Sequence, residues 1–209
     1  MKRITLAVCF VAFLLAMAGP AAAIVVDFNS FPNDTPIPNG YAGFIWSPNF
    51  YVVGNNFYNT EYGNSMTFPS PPDAAFNGFG VETVSVYRPS LFNLVGAYFS
   101  TWAFNNLFSS LNGSAYSLLV AGYNGTTLVG EVVVLFSPLY GTPPPPSFFY
   151  MPLGFNNINY VTFSTNLPGE KLYWLMDNLT YTAVPLPPSV LLLGSGLVGL
   201  LGFRRFRKH

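Results

Sequence analysis

Apolar and polar residues alternate with period two over much of this chain, and Gly, Pro and Asn break the alternation; between Ile24 and Ala183 no stretch sustains an apolar period of 3.6. The pattern predicts strands at residues 24–28, 50–53, 81–88, 91–101, 115–123, 127–136, 147–151, 158–164 and 172–182. The sharpest local signal is Tyr123-Asn124-Gly125-Thr126, where Asn-Gly supplies the two positive-φ positions of a type I′ turn between long strands. Strands at this spacing must close or double up to bury their apolar faces. The expected fold is therefore all-β, a two-sheet antiparallel sandwich of jelly-roll type. Residues 31–77, rich in turn formers and aromatics, are expected as long loops at one end, and Pro143 to Pro146 as a stiff polyproline II connector.

Two apolar runs at the ends depart from this pattern. Lys2 and Arg3 precede an apolar stretch from Ile4 to Met17, and Ala21-Ala22-Ala23 stands before Ile24. That is the form of a secretory signal peptide, so residues 1–23 are expected to be removed by signal peptidase. Residues 184–209 read as a Pro-rich hinge, an apolar run with Gly pairs, and a terminal cluster of Arg204, Arg205, Arg207 and Lys208. With its flank the run approaches the roughly 20 residues a bilayer core needs, and the cationic end stays cytoplasmic. The body, residues 24–183, is then one domain on the outside.

The tail resembles the PEP-CTERM sorting signal of bacterial envelope proteins. Val184-Pro185-Leu186-Pro187, the Gly-Leu run from Leu193 to Gly202, and Arg204-Arg205 carry the resemblance. It implies an exosortase as partner, a C-terminal helix that holds the precursor in the inner membrane, and processing for surface display or release into exopolysaccharide. Leu186 stands where the family motif has Glu, and a plain C-terminal anchor is the other reading of this tail.

Charge sharpens the picture of the body. The formal net charge is zero, but the body keeps only Arg88 and Lys171 against Asp27, Asp34, Glu61, Asp73, Glu82, Glu131, Glu170 and Asp177, a balance of about −6. A nucleic-acid partner is excluded on that ground, because clustered Lys and Arg supply such affinity. A surface of Asn, Ser, Thr and Tyr suits neutral carbohydrate or packing within a matrix, and it also occurs in secreted β proteins that bind nothing. Cys9 lies in the signal peptide and His209 is the last residue, so the body has no thiol and no imidazole. Ser-His-Asp and Cys-His triads and His-ligated zinc are excluded. Paired carboxylates could still support glycoside hydrolysis. The eight acids are scattered singly, however, and a non-enzymatic protein is expected.

Alternation through the last strand places Asp177 in a row with Tyr173, Leu175, Leu179 and Tyr181, so a carboxylate points into apolar surroundings and needs compensation. A β-bulge turning Asp177 outward, or Asp177 capping a loop while Asn178 faces the core, would relieve it. Val26-Asp27-Phe28, the segment from Ile37 to Trp46, Gly122 to Gly125 and Trp174 to Leu179 are similar to galactose-binding-like β-sandwich domains. That resemblance implies a structural Ca²⁺ where first and last strands meet, with Asp27, Asn29 and Asp177 as ligands. For sugar recognition the candidates are Trp46, Tyr51, Tyr58, Tyr62 and Arg88, which offer stacking faces and hydrogen bonds. A carbohydrate-binding module with a defined site is the alternative to a structural or adhesive role.

Overall fold

In the computed structural model the described residues are 21–62, 66–102, 115, 117–136, 148–165 and 172–184. The apolar run expected as a signal peptide, Pro143 to Pro146, and the tail beyond Val184 with Pro185, Leu186, Pro187, Arg204 and Arg205 lie outside them.

Among the described residues ten strands and one α-helix follow in chain order: β1 (Ala23–Val26), β2 (Thr35–Pro36), β3 (Ile45–Trp46), β4 (Phe50–Gly54), α1 (Asn55–Tyr62), β5 (Asp73–Asn77), β6 (Thr83–Thr101), β7 (Ser117–Asn124), β8 (Thr127–Leu135), β9 (Phe149–Thr165) and β10 (Trp174–Ala183). Every pairing is antiparallel. The order is β2-β4-β5-β10-β6-β9-β7-β8, with β1 on β10 and β3 on β6, so all ten strands belong to one hydrogen-bonded network.

The all-β expectation holds, and the breaks in alternation prove to be bends. The strands expected at 81–88 and 91–101 prove to be one strand, β6, which starts at Thr83 and whose register against β9 shifts between Tyr87 and Phe92. Pro89 lies in that interval. Proline lacks a ladder donor and is accommodated at such an irregularity. Likewise the two strands expected near 149–151 and 158–164 run on through Pro152, Gly154 and Asn157 as the one strand β9, with positive φ at Gly154 and Asn157. Opposite this bend stands Gly96, where a Cβ would lie 2.6 Å from the Met151 carbonyl oxygen. These bulges let one long strand serve two parts of the fold.

Residues 31–77 are more ordered than expected, since they supply β2, β3, β4, α1 and β5. Helix α1 is held by side chains: Asn55 and Asn59, one turn apart, donate from their amide nitrogens to the Met66 carbonyl at 3.0 and 2.9 Å. Strand β5 is buried at all five positions, and its Asn77 donates to the Val81 and Leu172 carbonyls while accepting the Trp174 N–H. The β7–β8 hairpin is where the sequence puts it, but the turn is shifted by one residue. Asn124 pairs with Thr127 inside the ladder, and only Gly125 has positive φ, as at the first turn position of type II′ rather than across an I′ pair.

Two apolar clusters result. The larger gathers nested rings from β3, β4, β6, β9 and β10: Trp174 stacks on Phe163 with centroids 5.6 Å apart, and Phe50 meets Trp174 edge-on at 5.9 Å. The smaller comprises Val53, Tyr58, Met66, Phe68, Ala74, Phe76, Trp102 and Leu175, beside α1. Strand β10 feeds both. Trp174 and Met176 enter the larger cluster and Leu175 the smaller; Asn178, at φ 52, resets the alternation so that Leu179 and Tyr181 enter the larger again.

Candidate functional site

Pairing of β1 with β10, Val26 opposite Leu179, brings Asp27 next to Asp177 as the sequence suggests. The predicted bulge is there, yet Asp177 stays fully buried. Its compensation comes from a loop distant in sequence. The Ser70 N–H donates to Asp177 Oδ2 at 2.8 Å, the Ser70 hydroxyl to Oδ1 at 2.8 Å, and the Asn178 N–H to Oδ1 at 2.7 Å. Asp27 accepts from the Tyr41 hydroxyl at 3.3 Å. Burial pushes the Asp177 carboxyl up to about 7, the three hydrogen bonds oppose that, and the nearby Asp27 charge adds to it. Burial and Asp27 likewise raise the Tyr41 hydroxyl.

Calcium asks for six to eight oxygen ligands, about three of them expected here from Asp27, Asn29 and Asp177. The donor set does not fit that ion. The Asn29 side-chain oxygen accepts the Asp73 N–H at 3.1 Å, and both Asp177 oxygens are met by N–H and O–H donors. Among the described residues no group of three or more His, Cys, Asp or Glu converges on one point. The carboxylate is compensated by the three hydrogen bonds that it accepts.

The sugar candidates are corrected by burial. Trp46 is 2% exposed, its ring edged by Phe28, Phe44 and Phe50 and its indole N–H donating to the Tyr41 carbonyl. Tyr58 is fully buried against Phe68 and Trp102. Neither ring has a free face. The Arg88 guanidinium lies over the rings of Tyr181 and Phe44, at 5.0 and 5.6 Å from their centroids, so it is a core cation–π partner. The Tyr62 side chain lies outside what is described.

Of the described side chains in that set, Tyr51 lines a cleft. The cleft, of about 250 Å³, has as its floor Val53, Phe76 and Trp102 from the smaller cluster, with Tyr173 beside them. Phe57 from α1 and Phe79 from the short 3-10 turn Gly78–Gly80 reach it from the rim, and Asn33 and Asp34 supply its polar side. Tyr51 packs flat on Gly78, where a Cβ would sit 2.4 Å from the ring. That contact requires glycine. Phe79 meets Tyr51 edge-on at 5.3 Å and is 62% exposed.

The backbone of Phe79 is in the left-handed region, at φ 59, as is that of Asp34, at φ 57. Asp tolerates that conformation; a bulky aromatic does so only at a cost on the order of 1–3 kcal/mol. Phe79 recovers little of it by burial. The sequence signal for this residue is an aromatic between two glycines, Gly78-Phe79-Gly80, in a turn region, and reasoning from alternation passes over it.

No family model matches the chain, and no curated protein matches it. Among solved structures the chain is similar to the K2 cleaved adhesin domain of Lys-gingipain, with 13% identity, a TM-score of 0.47, and coverage of 77% of this chain and 99% of that one. It is also similar to TmCBM61, solved in complex with β-1,4-galactotriose, with 12% identity, a TM-score of 0.35, and coverage of 74% and 100%.

Proposed function

We propose that residues 24–183 form the extracellular, non-enzymatic body of an exported bacterial envelope protein, a two-layer sandwich of jelly-roll type with a structural or adhesive role in exopolysaccharide. One contrast supports this reading most. Of the two acids that come together, Asp177 is buried under Ser70 and the half-buried Asp27 accepts from the Tyr41 hydroxyl, while the open cleft presents aromatic and uncharged groups with, among the described residues, a single carboxylate, Asp34. Such a surface holds a neutral partner and offers no acid pair to cleave it. Bends in β6 and β9 support the sandwich, because they let one network fold over a shared core.

In the same proposal the tail from Val184 is a sorting signal: an exosortase reads Val184-Pro185-Leu186-Pro187, and Arg204-Arg205 stays cytoplasmic until cleavage. Mass spectrometry of the protein from its native cell is expected to find a new C-terminus near Pro187. An intact end carrying Arg204 and Arg205 would demote the tail to a plain anchor. Retention of the exported protein on exopolysaccharide from the same cells tests the adhesive role. Passage without delay would remove it.

A further inference from the structure

We propose that the cleft between β4, the turn Gly78–Gly80 and the start of β10 binds one ring of a neutral pyranose. Phe79 is its stacking platform, and Asp34 and Asn33 are its hydrogen-bonding groups. The proposal rests on the adhesive reading and gives it a site.

Phe79 carries the argument. A left-handed backbone favours Gly or Asn, and an aromatic side chain there is kept against the preference of the chain. Packing does not explain it, since 62% of the residue faces solvent. Strain held without burial gives the fold no return, and a ring displayed at the mouth of a cleft gives a ligand a flat apolar face. Phe57, 43% exposed on α1, lines the same cleft, so two exposed rings stand at its rim.

The polar groups select among ligands. The Asn33 side-chain oxygen is committed to the Gly54 N–H at 2.8 Å, so the group Asn33 offers is its amide N–H pair. Asp34 offers a carboxylate, which accepts. A ligand must therefore both accept and donate, as a sugar hydroxyl does. A quaternary ammonium could use the rings and Asp34 but leaves the Asn33 donors unanswered. Anionic sugars and phosphate are disfavoured because, among the described residues, the charged side chain that lines the cleft is the carboxylate of Asp34. A volume of about 250 Å³ is below the usual range for drug-sized ligands, about 300–1,000 Å³, which suits a single ring with the remainder of a glycan outside.

The test is titration of the exported protein, extracted in detergent, with galactose, glucose, mannose, N-acetylglucosamine and their short neutral oligomers, followed by tryptophan fluorescence. Trp102 in the cleft floor is the reporter. Saturable binding of at least one neutral sugar is expected. Phe79→Gly, which keeps the left-handed turn, and Phe57→Ala should each weaken that binding by about tenfold or more, with the melting temperature of Phe79→Gly unchanged or raised. Unchanged sugar affinity in both variants overturns the proposal, and so does saturable binding of tetramethylammonium with no response to any sugar. Retention on native exopolysaccharide that persists in Phe79→Gly overturns the cleft and leaves the adhesive reading standing; loss of retention in the unmodified protein removes both.

Discussion

The two apolar clusters are made of the same residue types and behave as opposites. In the larger, each ring is enclosed by others: Phe44 touches Trp46, Phe92 and Tyr181, and Trp174 touches Phe50, Phe99 and Phe163. In the smaller, Phe76 and Trp102 pack on one side and form the floor of a cleft on the other. Aromatic content therefore says little about sugar binding. What separates platform from core is whether a second layer of chain covers the ring. Phe28, Phe44 and Phe50 supply that layer for Trp46, and Phe50, Phe99 and Phe163 supply it for Trp174, whereas the turn at Phe79 leaves its own ring largely exposed.

If enclosure is the difference, truncation should cost most inside the larger cluster. Trp174→Ala is expected to lower stability by about 3–5 kcal/mol in urea unfolding, as large-to-small changes at packed sites do. A loss near 1 kcal/mol would mean the larger cluster is no tighter than the smaller. Next comes Asp177→Ala, which removes the acceptor of the Ser70 and Asn178 N–H groups; about 1–3 kcal/mol is expected. A smaller penalty, on the order of 1 kcal/mol, is expected of Gly78→Ala, which pushes the Tyr51 ring aside and should also disturb the cleft.

The pH dependence follows from the same carboxyl. Folding raises the Asp177 pKa from 3.8 to about 7, so between those values the folded protein binds more protons than the unfolded chain. Its contribution to stability is greatest below about pH 4 and is lost as the pH rises through about 7. Urea midpoints measured from pH 5 to 8 should decline, and Asp177→Asn should flatten the decline. A rising midpoint would show that the three donors, not burial, dominate. The smallest effects are expected of Phe79→Gly on stability, from no change to a gain of about 1 kcal/mol as strain is relieved, and of chelation, which should leave the melting temperature where it is. A downward shift on chelation would restore a metal to the Asp27–Asp177 junction.

Much of the sheet was legible because alternation is local. Strands β4, β7, β8 and β10 fall within a residue or two of the pattern. Elements that depend on distant partners were not. β5 reads as Asp-Ala-Ala-Phe-Asn and becomes a strand because β4 and β10 flank it; α1 has a weak apolar stripe and is fixed by Asn55 and Asn59 to Met66. Proline and glycine at 89, 152 and 154 looked like strand ends, since the sequence does not distinguish a bulge from a turn. In the site, the meeting of Asp27 with Asp177 could be inferred from the first and last strands. Ser70 could not, being 107 residues from its partner, and no local signal told that Trp46 and Tyr58 would be covered while Phe79 would not.

Strand β10 begins just after Tyr173, at the cleft, and ends at Ala183, where the tail departs. A pull between something held in the cleft and an anchor beyond Val184 would therefore run along this one strand. Its bonds to β1 on one stretch and β6 along most of its length lie across that direction, so they are loaded together in shear instead of being peeled one at a time. With a ligand in the cleft and an anchor beyond Val184, as proposed above, the domain would act as a tension element, its loaded line a strand braced by its neighbours.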